Sequence, residues 1–112
     1  MADVEDVITT PAGAVAESLR AAGHQPPVLI VADNTAIARH APDWARSFAA
    51  LGWQHRVRLS DGPADNIEAD AIAAEARHLG ARAIVAAGGT ATRAAARAAA
   101  ARTGTPCLAL GD

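Results

Sequence analysis

The chain has 112 residues, 51% of them hydrophobic, and a formal net charge of −2 at pH 7. This length predicts a single domain over residues 1–112 with one modest core, and the slightly acidic balance gives no overall attraction for nucleic acid. No apolar run approaches the roughly 20 residues of a membrane helix, so no membrane partner is expected.

The first predicted elements are a helix and a buried strand. Thr10 is expected as the N-cap, with Pro11 in the first helical position and Gly23 at the end. The run Val28–Ala32 is continuously apolar and rich in β-formers. This pattern is typical of a strand that is buried on both faces of a parallel sheet.

A second helix and a second strand follow. The helix is expected after residues 33–35, to be interrupted by Pro42, and to restart at Asp43. From Trp53 to Leu59 apolar and charged residues alternate, which predicts an edge strand with one face in water.

The rest of the chain repeats this alternation. Asp65 begins a helix that stops at Gly80, and the short apolar run Ala83–Ala87 is the third predicted strand. A helix to about Thr103 leads to the last strand, Pro106–Leu110. The order indicates an α/β fold with three layers: a doubly wound, parallel, four-stranded sheet (Rossmann/flavodoxin-like) with strand order 2-1-3-4 and helices on both faces.

The candidate ligand site is the glycine-rich loop after the third strand. Ligands of open parallel sheets bind beyond the carboxyl ends of the strands, and the N-terminus of a helix attracts phosphate. Asp61 is placed to accept a ribose hydroxyl, and Arg93, in the first turn of the last helix, to contact an anion. The predicted binding residues are Asp33, Asn34, Asp61, Gly88, Gly89, Thr90 and Arg93. A tight Gly-Gly turn and a solvated arginine face are the alternative interpretation.

Other chemistry has little support in the sequence. The four histidines are scattered without helical pairing, so no metal site is expected, and no nucleophile–base pair identifies a catalytic residue. Cys107 is the single cysteine, which excludes an intramolecular disulfide. Together with an acidic rather than basic start, this favours a cytoplasmic location.

Several segments between Val7 and Leu110 resemble the N-terminal nucleotide-binding domain of the iron-containing alcohol dehydrogenase, glycerol dehydrogenase and dehydroquinate synthase superfamily. They are Pro11–Leu19, Val28–Asp33, Leu59–Pro63, Ala87–Thr90 and Arg102–Pro106. The resemblance implies NAD or NADP as cofactor, with the dinucleotide pyrophosphate on the glycine loop.

The sequence also departs from that family. Arg93 and Ala96 stand where the family has an acidic residue and a lysine, and the chain stops at Asp112. The helical second domain, which carries the family's metal ligands, is then absent. We therefore expect a phosphate-binding module rather than a complete dehydrogenase.

Two further functions stay open. Val28–Gly111 is also similar to the aminoimidazole ribonucleotide carboxylase (mutase) family, which implies a small lyase or mutase, although Asp61-Gly62 replaces the catalytic histidine motif. The third candidate is a non-catalytic accessory subunit. An alanine-rich last helix beside an open cleft favours a twofold homo-oligomer or a partner subunit.

Overall fold

A parallel sheet of five strands forms the centre of the computed structural model, which describes residues 6–111. The strands are β1 (Asp6–Thr9), β2 (Val28–Ala32), β3 (His55–Leu59), β4 (Ala83–Ala87) and β5 (Cys107–Gly111). The helices are α1 (Val15–Ala21), α2 (Asn34–Leu51), α3 (Asn66–Leu79) and α4 (Thr90–Thr103). The spatial order is β1-β5-β4-β2-β3, and every neighbouring pair is parallel.

Successive side chains of the interior strand β2 point to opposite faces of the sheet and contribute to two separate layers of the core. Val28 and Ile30 face α1 and α2, where Trp44 and Phe48 are the largest buried side chains. Leu29 and its neighbour Val31 face the other layer, formed by α3 and the alanines of α4. Both faces of β2 and β4 are buried, which explains their uninterrupted apolar sequences.

The doubly wound parallel α/β class is confirmed, and the four predicted strands keep their predicted relative order, with β3 at one edge. The predicted number of strands was wrong, because β1 adds a fifth strand beside β5. This strand has only four residues and lies at the other edge, where Val7 is 53% exposed and Ile8 packs against the core. So short a run gives no readable alternation.

The predicted interruption of this helix at Pro42 was also wrong, because α2 is continuous from Asn34 to Leu51. Proline removes the hydrogen bond to the carbonyl of residue i−4, which here is Ala38. Both Pro42 and Ala38 are exposed, so the Ala38 carbonyl is open to hydrogen bonding by solvent and the helix continues past the proline. No helix within residues 6–111 combines the length and apolarity needed to cross a membrane.

The N-terminus of α1 is capped from a distant part of the chain, not by Thr10 as the sequence indicated. A 3-10 turn at Ala12–Ala14 precedes the helix, and neither its N-cap nor that of α1 makes a side-chain capping bond. Instead the backbone N–H of Ala16 donates to Oγ of Ser47 on α2 over 2.9 Å, in a buried position. This bond joins α1 to α2 and satisfies an amide that the helix leaves without a partner.

Replacing Ser47 by alanine should lower the free energy of unfolding by about 1–3 kcal/mol, because a buried amide would lose its acceptor. Urea denaturation of the variant measures this change. Ala49→Ser, at an exposed position of the same helix, serves as control and should shift stability by less than about 0.5 kcal/mol. Equal effects of the two changes would contradict the capping role.

The ring of His55 on β3 stacks on Phe48, with centroids 4.6 Å apart and planes 9° from parallel. Burial lowers the pKa of His55 below its ordinary 6.5. The unfolded chain then binds more protons than the folded one, so the free energy of unfolding should fall as the pH drops through 6.5. His55→Phe keeps a stacking ring but cannot take up a proton. When the pH is lowered, the free energy of unfolding of this variant should therefore fall less than that of the wild type. Urea denaturation above and below pH 6.5 tests this; parallel losses in the two proteins would refute it.

Candidate functional site

A pocket of about 500 Å³ lies beyond the carboxyl ends of β2, β4 and β5. Its walls come from the loop after β1, the first three turns of α2, the end of β4 with its glycine, and the start of α4. Residues that define these walls are Pro11, Asp33, His40, Gly88, Arg93 and Gly111. The pocket therefore occupies the edge of the sheet where ligands of open parallel folds bind.

Three of the predicted site residues, Asp33, Gly88 and Arg93, line this pocket. The other predicted residues lie at the same edge of the sheet but not in the pocket walls: Asn34, Asp61, Gly89 and Thr90 are exposed in their loops and helix starts. The loop with Asp61 follows β3, the edge strand that β2 and β4 separate from β5. The ends of β2 and β4 therefore border the pocket, whereas the end of β3 lies outside it.

Asp33 joins the N-termini of two helices. Its Oδ1 accepts a hydrogen bond from the backbone N–H of Ala36 over 2.9 Å, which caps α2. Its Oδ2 accepts the N–H of Gly89, the N-cap residue of α4, over 3.0 Å. A helix N-terminus stabilises negative charge, and here two of them share one carboxylate.

The two glycines of the loop have different roles. Gly88 has φ +145°, and a Cβ at this position would lie 2.4 Å from Oδ2 of Asp33. Both the backbone conformation and the close approach of Asp33 therefore require glycine here. Gly89 has φ −79°, and a Cβ there would meet nothing within 4 Å. Gly89 consequently leaves open space at the start of α4.

Positive charge reaches the pocket from two sides. Arg93 belongs to α4, and its Nε is shielded from solvent, whereas Arg39 belongs to α2. The ring of His40 lies 5.9 Å from that of Trp44, which is 1% exposed. Among the residues between 6 and 111 described as lining the pocket, Asp33 is the acidic one. Arg97, one turn beyond Arg93, is exposed and does not line it.

Sequence reasoning missed the contribution of α2. Ala36, His40 and Trp44 follow the capping Asp33 at helical spacing, so they lie on one face of α2, and all line the pocket. The signal was present in this spacing. It was not recognised as part of a site, because Ala36 and His40 belong to the predicted helix but the strand ends that this face borders are known only from the folded structure.

A separate polar cluster fixes the end of β3. Arg58 donates to Glu75 over 2.8 Å and to Glu68 over 3.5 Å. The hydroxyl of Ser60 donates to Glu68, and that of Thr92 on α4 donates to the Ser60 carbonyl. The hydrogen bond that Arg58 donates to Glu75 raises the pKa of Arg58, against the opposing effect of burial. These contacts tie β3 to α3 and α4, which is a structural role.

A metal centre has no counterpart in the part of the chain that the structure describes. Between residues 6 and 111, no three or more His, Cys, Asp or Glu side chains form a group able to hold a metal ion.

The fold is similar to that of several solved dehydrogenases and reductases. Maleylacetate reductase from Agrobacterium tumefaciens matches 97% of this chain with a TM-score of 0.74 and 20% identity. A putative alcohol dehydrogenase from Ralstonia eutropha JMP134 matches 97% with a TM-score of 0.73 and 26% identity. A probable glycerol dehydrogenase from Sinorhizobium meliloti 1021 matches 94% with a TM-score of 0.74 and 18% identity. No family model and no curated protein matches the sequence.

These matches confirm the resemblance to the iron-containing alcohol dehydrogenase superfamily. The chain spans only 28–31% of the length of these three proteins. It therefore shares the fold of one part of such enzymes, consistent with their N-terminal domain.

Replacing Gly88 by alanine should destabilise the protein by roughly 1–3 kcal/mol from backbone strain alone, because L-residues rarely adopt its φ. The added Cβ would also displace the Asp33 carboxylate from its two amides. Gly89→Ala is the matched control and should cost less than about 1 kcal/mol, since its φ is ordinary and the space is open. Thermal unfolding of both variants compares them. A control as damaging as Gly88→Ala would rule out this assignment of roles.

Proposed function

We propose that this chain binds a phosphate-bearing small molecule in the pocket at the carboxyl edge of the sheet. The observation that carries the proposal is the composition of the pocket walls. Arginines approach from two different helices, Arg39 from α2 and Arg93 from α4, around a glycine at the end of β4. Guanidinium groups bind phosphate oxygens through charge-assisted, often bidentate hydrogen bonds.

NAD or NADP is the proposed ligand. The open space at Gly89 allows a pyrophosphate to approach the start of α4, where the helix dipole favours negative charge. Arg93 would contact the same phosphates from the pocket wall. Asp33 already accepts the N–H of Gly89, so a phosphate would bind beside that amide rather than on it. The residues present therefore fit the pyrophosphate of a dinucleotide.

The named activities of the similar structures support a dinucleotide, because the matches include dehydrogenases and a reductase. When bound, the nicotinamide of such a cofactor supplies or accepts a hydride. The residues of this chain would bind and orient the cofactor.

Isothermal titration calorimetry with NAD, NADP and ADP tests the proposal. Replacing Arg93 by glutamine should weaken binding of all three at least about tenfold, since one charge-assisted contact is lost. Arg97→Gln removes the same charge one turn along α4, outside the pocket, and should change each Kd less than about twofold.

Two results would reject the proposed site. Failure of the wild-type protein to bind any of the three nucleotides would reject the function itself. Equal weakening by Arg93→Gln and Arg97→Gln would show general attraction between charges instead of a contact inside the pocket.

A further inference from the structure

The outward face of α3 carries a stripe of side chains that packs against neither layer of the core. It consists of Ile67, Ala71, Ala74 and His78, and we call it the outer stripe. Ile67 is 82% exposed, Ala74 and His78 are exposed, and Ala71 is half-buried. Their spacing is that of the a and d positions of a heptad repeat, which in coiled coils form the contact between two helices.

One flank of the outer stripe, on the side of α4, carries two opposite charges. Asp70 and Arg77 lie one heptad apart on this flank, and both contact Arg102 of α4. Asp70 nevertheless keeps 69% of its side chain exposed, and Arg77 is exposed as well. Charged residues that flank the apolar positions of paired helices determine the orientation of the partner helix.

The other flank, on the side of β3, carries two acidic residues that are balanced within the chain. Glu68 and Glu75 both form ion pairs with Arg58. In an antiparallel pair of identical helices each flank meets the same flank of the other helix, so Asp70 would lie opposite Arg77 of the second copy, twice. In a parallel pair unlike flanks meet, and Asp70 would face the carboxylate of Glu75. The charges therefore favour antiparallel pairing.

From this pattern we infer that the outer stripe of α3 packs against the same stripe of a second copy of this chain, in an antiparallel dimer with twofold symmetry. A twofold interface uses the same surface of both chains, so every contact occurs twice. Ala71 packs on Ala74 of the second copy at the centre, where small side chains allow the helices to approach closely. Ile67 packs on the ring of His78 at each end. None of these four residues lines the pocket, so the inference does not depend on the proposed function.

Sedimentation equilibrium of the wild-type chain, Ala74→Glu and Ala101→Glu tests the location of the interface. Glutamate is a good helix former, so Ala74→Glu keeps α3 and adds a charge at the centre of the outer stripe. Ala101 is the matched control, because it is exposed on α4, the other alanine-rich helix. The wild type should dimerise with a Kd below about 100 μM; Ala74→Glu should weaken this at least about tenfold, and Ala101→Glu less than about twofold.

Charge exchange tests the orientation. Asp70→Arg should weaken the dimer about tenfold, because two ion pairs become repulsive, and the double change Asp70→Arg, Arg77→Asp should restore the Kd to within about threefold. The contact of Asp70 with Arg102 is lost in both variants, so recovery cannot come from that contact. A dimer that the double change does not restore would overturn the antiparallel arrangement. A wild type that stays monomeric at about 200 μM, or a larger loss in Ala101→Glu than in Ala74→Glu, would overturn the interface itself.

Discussion

The carboxylate of Asp33 is the contact on which the arrangement of the pocket depends. It accepts one N–H from the first turn of α2 and one from the N-cap of α4, across 56 positions of sequence. Each helix terminus stabilises a negative charge by about 0.3–1 kcal/mol, and the two hydrogen bonds fix the direction of both helices. Gly88 follows from this contact, since any side chain there would occupy the position of Asp33. Backbone pairing holds the ends of β2 and β4 together, and beyond them one acidic side chain and one glycine bring the N-termini of α2 and α4 close to each other.

The same contact determines the electrostatic character of the pocket. The carboxylate of Asp33 accepts hydrogen bonds from backbone amides, whereas Arg39 and Arg93 contribute positive charge from two helices. A pocket of this kind favours a ligand with separated negative groups over a neutral one. Trp44 and Pro11 add apolar surface to these charges, and recognition sites for small molecules commonly combine such surface with a few polar groups.

Much of the fold could be predicted from the sequence, because β2 and β4 are buried on both faces and therefore read as continuous apolar runs. β1 could not, since four residues at the edge of the sheet give no periodic signal. The glycine loop and Asp33 were recognisable from their positions after strands. Their direct contact was not, because it depends on the φ of Gly88 and on the position of the Asp33 side chain, and the strand order gives neither. Arg39 and His40 were within the predicted helix, but their place in the pocket wall depends on which strand ends α2 lies beside in the folded protein.

The central claim is that ligand binding occurs at the edge of the sheet bounded by Asp33, Gly88 and Arg93. Titration of the ¹⁵N-labelled protein with NADP, followed by two-dimensional NMR of the backbone amides, tests it most directly. The largest shifts are expected at Gly88, Gly89 and the first turns of α2 and α4, with little change at the opposite ends of the strands, such as Val28 and Ala83. Shifts concentrated at that opposite edge, or spread evenly over the surface, would contradict the account.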